Sequence, residues 1–126
     1  MNEQEFYFKL SMFEQQMQSI QQQLQAVEKA IMDMSTLSID LDELKDSKGK
    51  EILASIGKGI FVKTKLLSEE LTVDIGGKNF VKKSISDTQE IIKEQIKKLR
   101  DTKKELNKAL EEINKQLTEI ILKNQK

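Results

Sequence analysis

The sequence predicts a mainly α-helical chain of the α+β class, in which a long intramolecular antiparallel coiled coil is joined by two β-hairpins. Apolar residues recur at alternating steps of four and three near both ends of the chain, which is the spacing of a coiled-coil seam. Between residues 51 and 83 the apolar period changes to two, which is typical of strands. We expect a single domain with an N-terminal helix over 1–37, a connector over 38–50, the hairpins over 51–83 and a C-terminal helix over 84–126.

The composition excludes several classes of function. Of the 126 residues, 37% are apolar and 33% are charged, which is too polar for one compact core and favours an extended fold. Basic and acidic residues number 21 each, so no net charge indicates nucleic acid or an anionic membrane as a partner. The absence of Cys and His removes the usual zinc ligands, thiol nucleophiles and imidazole bases. We therefore expect no catalytic residue, no metal and no cofactor.

We expect no targeting or membrane segment in this chain. Its first ten residues, MNEQEFYFKL, contain acidic residues where a signal peptide requires a basic start. No stretch approaches the roughly 20 consecutive apolar residues of a membrane span. We expect a soluble, cytoplasmic protein that binds no membrane.

The first heptad seam runs without a break through the N-terminal helix. Its members are Phe6, Leu10, Phe13, Met17, Ile20, Leu24, Val27, Ile31 and Met34. Because the seam is unbroken, the glutamines between Gln4 and Gln25 are interpreted as a solvated helix face rather than a disordered low-complexity tract. The helix is expected to end between Met34 and Ser38, with room for a short helical turn before the hairpins.

The second seam has the same number of layers as the first. Its members are Ile92, Ile96, Leu99, Lys103, Leu106, Leu110, Ile113, Leu117 and Ile120. Matched length and phase predict an antiparallel pair in which Met34 faces Ile92. Lys103, the one polar member, is interpreted as a register device or as a side chain whose stem packs while its ammonium group reaches water. Either Ser84 or Ser86 is expected to cap this helix.

Glycines mark the turn of each predicted hairpin, Gly57 and Gly59 in the first and Gly76 and Gly77 in the second. A phosphate-binding loop runs from a strand into a helix whose N-terminus faces the anion. Both glycine pairs instead run from one strand into another. We therefore expect the glycines to supply the backbone conformations that tight turns require.

The four predicted strands form an incomplete sheet. A lone two-stranded hairpin is marginally stable, and its open edges are templates for pairing. We expect the hairpins of other subunits to pair with these edges and to close an oligomeric β-barrel platform.

Large apolar side chains outside the seams are concentrated at the end of the coiled coil distant from the hairpins. These residues are Tyr7, Phe8, Met12, Ile121 and Leu122. Between Glu14 and Ile31, and between Lys93 and Glu119, the off-seam apolar residues are all alanines. This distribution indicates an interaction surface, with ordinary packing of the helix ends as the alternative. Adaptable aromatic and methionine side chains suit weak binding of unfolded chains without sequence preference.

Two stretches resemble the α-class subunit of archaeal-type prefoldin. They are SIGKGIFVKTKL in the first hairpin and VDIGGKNFVKKSI in the second. The resemblance extends over essentially the whole chain, and two hairpins rather than one distinguish the α class from the β class. It implies a hexamer of two α and four β subunits whose hairpins form β-barrels. It also implies that the coiled-coil tips hold non-native proteins, without ATP, for delivery to a group II chaperonin.

The resemblance also implies roles for particular residues. The assembly surface would be formed by Ile52, Ala54, Ile56, Ile60, Val62, Leu71, Val73, Ile75, Phe80 and Val81. The client-binding tips would be formed by Phe6, Tyr7, Phe8, Leu10, Met12, Phe13, Leu117, Ile120, Ile121 and Leu122. Lys78 and Asn79 depart from the smaller or more apolar residues expected in the second turn, which leaves that turn open. The short tail after Leu122 leaves a role in chaperonin docking open.

Three other functions are weighed beside the chaperone. A coiled-coil scaffold or tether would bind one folded partner at its tips. A nucleic-acid arm would use the basic residues of the C-terminal helix, although acidic residues at three- and four-residue spacings are placed to pair with many of them. An enzyme is the least supported class, because the carboxylates lie on a solvated helix face with no concave site to raise a pKa.

Overall fold

The computed structural model describes residues 2–124 of the chain. Its elements in chain order are α1 (Glu3–Leu44), β1 (Glu51–Gly57), β2 (Ile60–Lys65), β3 (Leu71–Asp74), β4 (Phe80–Lys83) and α2 (Ile85–Asn124). The strands form two separate antiparallel sheets, β1 with β2 and β3 with β4. Two long helices with two small hairpins confirm the predicted fold class, while the barrel depends on other chains and stays a prediction.

The chain divides into two compact units. The first, here called the coil unit, contains the residues up to Met32 and those from Ile96 onward. The second, the hairpin unit, is Asp33–Gln95 and contains all four strands with the adjoining ends of both helices.

In the coil unit, burial follows the heptad pattern. Every seam residue from Phe6 to Ile31, and from Ile96 to Ile120, is half-buried. Among the neighbouring off-seam positions in these stretches only Ala30 is also half-buried. Apolar residues that recur on average every 3.5 residues therefore shield one another along one stripe of each helix, as a two-helix coiled coil requires.

The helix starts are capped by side chains. At α1, the Asn2 side-chain oxygen accepts a hydrogen bond from the Glu5 backbone N–H at 2.8 Å. At α2, the Ser84 hydroxyl accepts from the Asp87 backbone N–H at 3.0 Å. Ser84, rather than Ser86, is therefore the cap, and Asp87 adds a negative charge at the positive end of the helix dipole.

The hairpin unit holds the buried side chains of the described residues, and three of them, Leu41, Ile85 and Ile92, lie on the two seams or on their extension. Leu41 in α1 and Ile85, Thr88 and Ile92 in α2 are buried. Ser38 and Leu41 follow Met34 at the same steps of four and three. The helix pairing thus continues beyond the predicted last layer.

A hydrogen bond between the helices fixes the register of this extension. The Gln89 side-chain amide donates to the Ser38 backbone carbonyl at 3.0 Å and to Asp42 Oδ1 at 2.8 Å. Ser38 is the next seam position after Met34, and Gln89 is the seam position before Ile92. The antiparallel alignment deduced from the sequence therefore holds in this unit.

The end of α1 differs from the sequence prediction. The helix was expected to end by residue 37 or 38, with a connector over 38–50, but it continues to Leu44. Burial of Leu41 and the bonds from Gln89 stabilise the added turns. The helix then ends at a turn in which Asp46 has a φ of 60°, and the Asp46 N–H donates to Glu69 Oε1 at 2.6 Å.

Candidate functional site

The first hairpin has two unequal faces. Ile52 pairs with Thr64 and Ala54 pairs with Val62 on one face, where three of the four side chains are half-buried. On the other face all side chains are exposed, including Leu53 and Phe61. The sequence assigned the first face to assembly and did not include Leu53 or Phe61 in that role.

A β-bulge interrupts this hairpin next to its turn. Ser55 pairs with Phe61, but the next pair is Gly57 with Ile60, so Ile56 is the extra residue. The simple alternation from Ile52 to Ile56 therefore breaks at the last position. Ile56 and Ile60 are both exposed.

The second hairpin repeats the pattern on a smaller scale. Leu71, Val73 and Val81 are half-buried on one face, together with Lys83. Phe80 pairs with Asp74 on the opposite, exposed face. Of the ten expected assembly residues, the hairpins therefore half-bury Ile52, Ala54, Leu71, Val73 and Val81, and they expose Ile56, Ile60, Val62, Ile75 and Phe80.

Each hairpin turn contains a lysine in the left-handed region. The central residues are Lys58 (φ 52°) and Gly59 (φ 78°) in the first turn, and Gly77 (φ 60°) and Lys78 (φ 64°) in the second. Two consecutive positive φ values are the mark of a type I′ turn, which matches the twist of paired strands. Lys78, which departs from the family pattern, thus occupies a turn centre, with the Asn79 N–H bonded to the Gly76 carbonyl at 3.0 Å.

In the coil unit, the ten expected tip residues fall into two groups. Phe6, Leu10, Phe13, Leu117 and Ile120 are half-buried in the seam. Tyr7, Phe8, Met12, Ile121 and Leu122 are exposed. The rings of Phe6 and Tyr7 lie 5.6 Å apart between centroids, in a tilted arrangement that joins the buried and exposed groups. The antiparallel pairing places the start of α1 and the end of α2 at one end of this unit.

The seam lysine has an acidic partner. Lys103 is half-buried, and its Nζ lies 3.5 Å from Glu28 Oε1. The antiparallel pairing of the two seams predicts that Lys103 faces Leu24, which is one helical turn before Glu28. The lysine stem thus lies along the seam while its ammonium group meets a carboxylate at the helix surface.

The acidic side chains of residues 2–124 do not assemble into a metal site. No cluster of three or more acidic side chains in that range is arranged to hold a metal ion. The pKa of the Asp42 carboxyl is lowered, first by the hydrogen bond from Gln89 and then by Lys45 at 3.2 Å. Over the same range, no helix is sufficiently long and apolar to cross a membrane.

The structure exposes apolar residues that sequence reasoning missed. They lie off the seam near the strands or in the strands themselves: Met32, Leu37, Ile39, Leu53, Phe61, Leu67 and Ile91. Three of them, Met32, Leu37 and Ile39, are apolar residues at off-seam positions of α1 beyond Ile31. That departure from the polar off-seam pattern could have revealed them from the sequence.

Comparison with known proteins identifies the family. A family model described as a prefoldin subunit matches residues 13–125. A curated prefoldin subunit alpha from Methanobrevibacter smithii is 32% identical over 95 residues, which is 75% of this chain and 65% of that protein. One from Methanosphaera stadtmanae is 27% identical over 84 residues, 67% of this chain and 61% of that protein. The chain thus spans less than two thirds of the length of either relative.

The fold is also found in a solved structure. A filamentous prefoldin from Methanocaldococcus jannaschii matches with a TM-score of 0.81, covering 93% of this chain and 98% of that one. At 18% identity this likeness supports the fold alone. Taken with the family model, the two curated relatives and the paired hairpins, it shows that the chain belongs to the prefoldin family of chaperones, as a subunit of the alpha type.

Proposed function

We propose that this subunit binds unfolded proteins at the tips of its coiled coil, independently of ATP, and passes them to a group II chaperonin in the cytoplasm. The observation that carries the proposal is the group of five exposed apolar side chains at one end of the coil unit. Exposed apolar clusters are unusual on soluble proteins without an interaction role. Between residues 14 and 31 and between 96 and 119, no large apolar side chain of the coil unit is exposed.

The partners in this proposal are prefoldin β subunits, in a hexamer of two α and four β chains. The half-buried faces of the two hairpins would pack into the barrel, and their unpaired strand edges would bond to neighbouring hairpins. The filament named for the Methanocaldococcus jannaschii relative is another assembly of this fold. Family membership supports subunit partners, and the stoichiometry is part of the proposal.

The test replaces exposed tip residues by polar ones in the assembled complex. The triple variant Phe8→Ser, Met12→Ser and Leu122→Ser should lose most of the protection that the complex gives to two chemically unrelated denatured proteins, measured by light scattering. Native mass spectrometry should show that assembly with the β subunit is unchanged. The matched control replaces exposed glutamines away from the tip, Gln15→Ser, Gln18→Ser and Gln22→Ser, and should protect as the wild type does.

The result also separates the chaperone from the scaffold. If the triple variant protects as well as the wild type, the tip assignment is wrong. If the wild type protects neither denatured protein but binds one folded partner, the scaffold or tether is the better description.

A further inference from the structure

The C-terminal helix carries a basic surface that the proposed function does not use. Within the coil unit, residues 96–110 of α2 contain six basic and two acidic residues, which is six minus two or a net charge of +4. In the same unit, the α1 segment from Gln15 to Gln25 contains no charged residue. The charges of the whole chain sum to zero, so this positive charge is a local feature of the coil unit.

Four of these basic residues, here called the basic stripe, lie on one side of α2. They are Lys97, Arg100, Lys104 and Lys108. Their successive steps are three, four and four residues, so at 3.6 residues per turn they lie within an arc of about 80°. All four are exposed, and none belongs to the seam. With a rise of 1.5 Å per residue, the stripe is about 16 Å long.

The carboxylates near the basic stripe do not pair with it. Spacings of three and four residues predict ion pairs such as Lys97 with Asp101 and Lys108 with Glu105. Among residues 2–124, however, no carboxylate lies at ion-pair distance from any member of the stripe. By contrast, the seam lysine of the same segment has its acidic partner at 3.5 Å. The positive charge of the stripe is therefore not neutralised within the described part of the chain.

The order of the charges along this part of α2 destabilises the helix. Arg100 and Lys104 are four residues apart, as are Lys104 and Lys108, and like charges at this spacing repel each other. Asp101 and Glu105 repeat the arrangement in the neighbouring column of the helix surface. A face that needed only solvation would be more stable with acidic and basic residues alternating at this spacing. The separation of the charges instead indicates a surface for an anionic partner.

The composition of this surface favours a nucleic acid over a protein as that partner. Protein interfaces bury an apolar, often aromatic, centre and carry their charges at the rim. The exposed residues of α2 from Lys97 to Lys108 include no apolar side chain, so a protein partner would find no apolar centre there. A phosphate backbone is bound through charge alone, and one strand of a duplex places about five phosphates along about 16 Å.

We propose that the basic stripe binds the phosphate backbone of a nucleic acid. The lysine ammonium groups act as point charges on the phosphates, and the Arg100 guanidinium group can donate two parallel hydrogen bonds to one phosphate. Because α2 contains no aromatic residue on which a base could stack, binding should not depend on base sequence. The stripe shares no residue with the exposed tip, so nucleic-acid binding and client binding can be tested separately.

The experiment removes the four charges in the full chain. The stripe variant combines Lys97→Gln, Arg100→Gln, Lys104→Gln and Lys108→Gln, and glutamine retains good helix propensity. Fluorescence anisotropy measures binding to two labelled probes, a single-stranded RNA and a DNA duplex, each about 20 nucleotides per strand so that it is longer than the stripe. At about 50 mM salt the wild type should bind both probes, and the stripe variant should bind each at least about tenfold more weakly.

A charge-matched control separates the stripe from total charge. It combines four exposed lysines from other parts of the coil unit, Lys9→Gln, Lys29→Gln, Lys115→Gln and Lys123→Gln. It loses the same four positive charges, yet its affinity should stay within about threefold of the wild type, since distant exposed charges are screened. Circular dichroism checks that both variants retain their helices.

The salt dependence of binding gives a second readout. On the single-stranded RNA, the slope of log affinity against log salt should be smaller in the stripe variant than in the wild type by up to about 3, since each lost phosphate contact removes about 0.7. The slope of the control variant should match that of the wild type. Two RNA probes of equal length and different sequence should bind the wild type equally.

Three outcomes would overturn the proposal. One is a wild type that binds neither probe at low salt, and another is a control variant that loses as much affinity as the stripe variant. The third is a stripe variant that binds both nucleic acids as the wild type does but no longer binds polyglutamate, which would assign the stripe to an acidic polypeptide. Client protection by the tip variants has no bearing on these outcomes, because no tip residue belongs to the stripe.

Discussion

Ile92 in α2 and Val62 in β2 are both β-branched apolar residues that the sequence pattern places on an inner face. Ile92 is 4% exposed, whereas Val62 is 44% exposed. The difference arises because the helix containing Ile92 has a partner helix in the same chain, while each hairpin is a sheet of only two strands. A helix seam can be covered by a second helix of the same chain, but a two-stranded hairpin leaves its face partly uncovered. The two regions should therefore respond differently to substitution.

The largest expected effect is the loss of a buried seam residue. Replacing Ile92 by alanine should lower the free energy of unfolding by about 3 kcal/mol, because a buried isoleucine loses its packing and leaves a cavity. Urea denaturation followed by circular dichroism at 222 nm measures it. The neighbouring Ile91, which is 36% exposed, is the matched control, and Ile91→Ala should change stability by less than about 0.5 kcal/mol. Equal effects at the two sites would contradict the burial of the seam.

The hairpin face should show the opposite behaviour. Val73→Ser with Val81→Ser removes a half-buried cross-strand apolar pair, and the free energy of unfolding of the isolated chain should fall by about 1 kcal/mol, well below the effect at Ile92. Assembly with a β-type subunit should weaken by at least about tenfold, because this face is expected to be covered in the complex. Titration calorimetry measures that affinity.

The control for the hairpin variant is Thr72→Ser, on the exposed face of the same strand. It should leave both assembly and stability unchanged. A double valine variant that unfolds the isolated chain would show that the hairpins are already stabilised within it.

A smaller effect is expected at the polar layer of the seam. Lys103→Leu should raise the free energy of unfolding by about 1 kcal/mol, because it adds apolar burial and removes only a surface ion pair of small net value. Glu28→Gln removes the ion pair without changing the seam and should cost less than about 0.5 kcal/mol. If Lys103→Leu instead lowers the free energy of unfolding, then Lys103 stabilises the fold by more than the packing of its stem and its ion pair with Glu28 explain.

The smallest effect concerns pH. Because Gln89 and Lys45 lower the pKa of Asp42 in the folded chain, ionisation of Asp42 stabilises the fold above the ordinary aspartate range and loses that effect as the pH falls through the lowered pKa. Wild-type stability should therefore fall with pH below about 4 more than that of Gln89→Met, which lacks the donor. Gln95→Met, at an exposed position of α2, should follow the wild type. Identical slopes for all three would exclude this hydrogen bond as a source of the pH dependence.

Much of the fold follows from the period of the sequence. The half-buried residues from Phe6 to Met34 are the predicted members of the first seam, with Ala30 as the sole addition. This agreement is expected, because the spacing of apolar residues determines which side of a helix can be buried, wherever its partner comes from. The exposed tip residues follow by the same rule, since Tyr7, Phe8 and Met12 lie outside the seam.

The end of α1 could not be deduced in this way. Asp40, Asp42 and Glu43, near a polar Ser38, resemble a connector when only local pattern is considered. The helix continues because Gln89, distant in sequence, bonds to the Ser38 carbonyl and to Asp42. Leu37 and Ile39 escape the local pattern for the same reason, because the predicted helix ends near residue 37.

The sequence by itself determined the two seams, their antiparallel register, the two hairpins and the glycines that turn them, because each depends on local period or local backbone preference. The tertiary structure alone decided where α1 ends, that Ile56 is a bulge, that Gly77 and Lys78 form the centre of the second turn, and that Leu53 and Phe61 lie exposed on one face. These features depend on hydrogen bonds between distant residues and on pairing between strands. Such partners come together only when the chain folds.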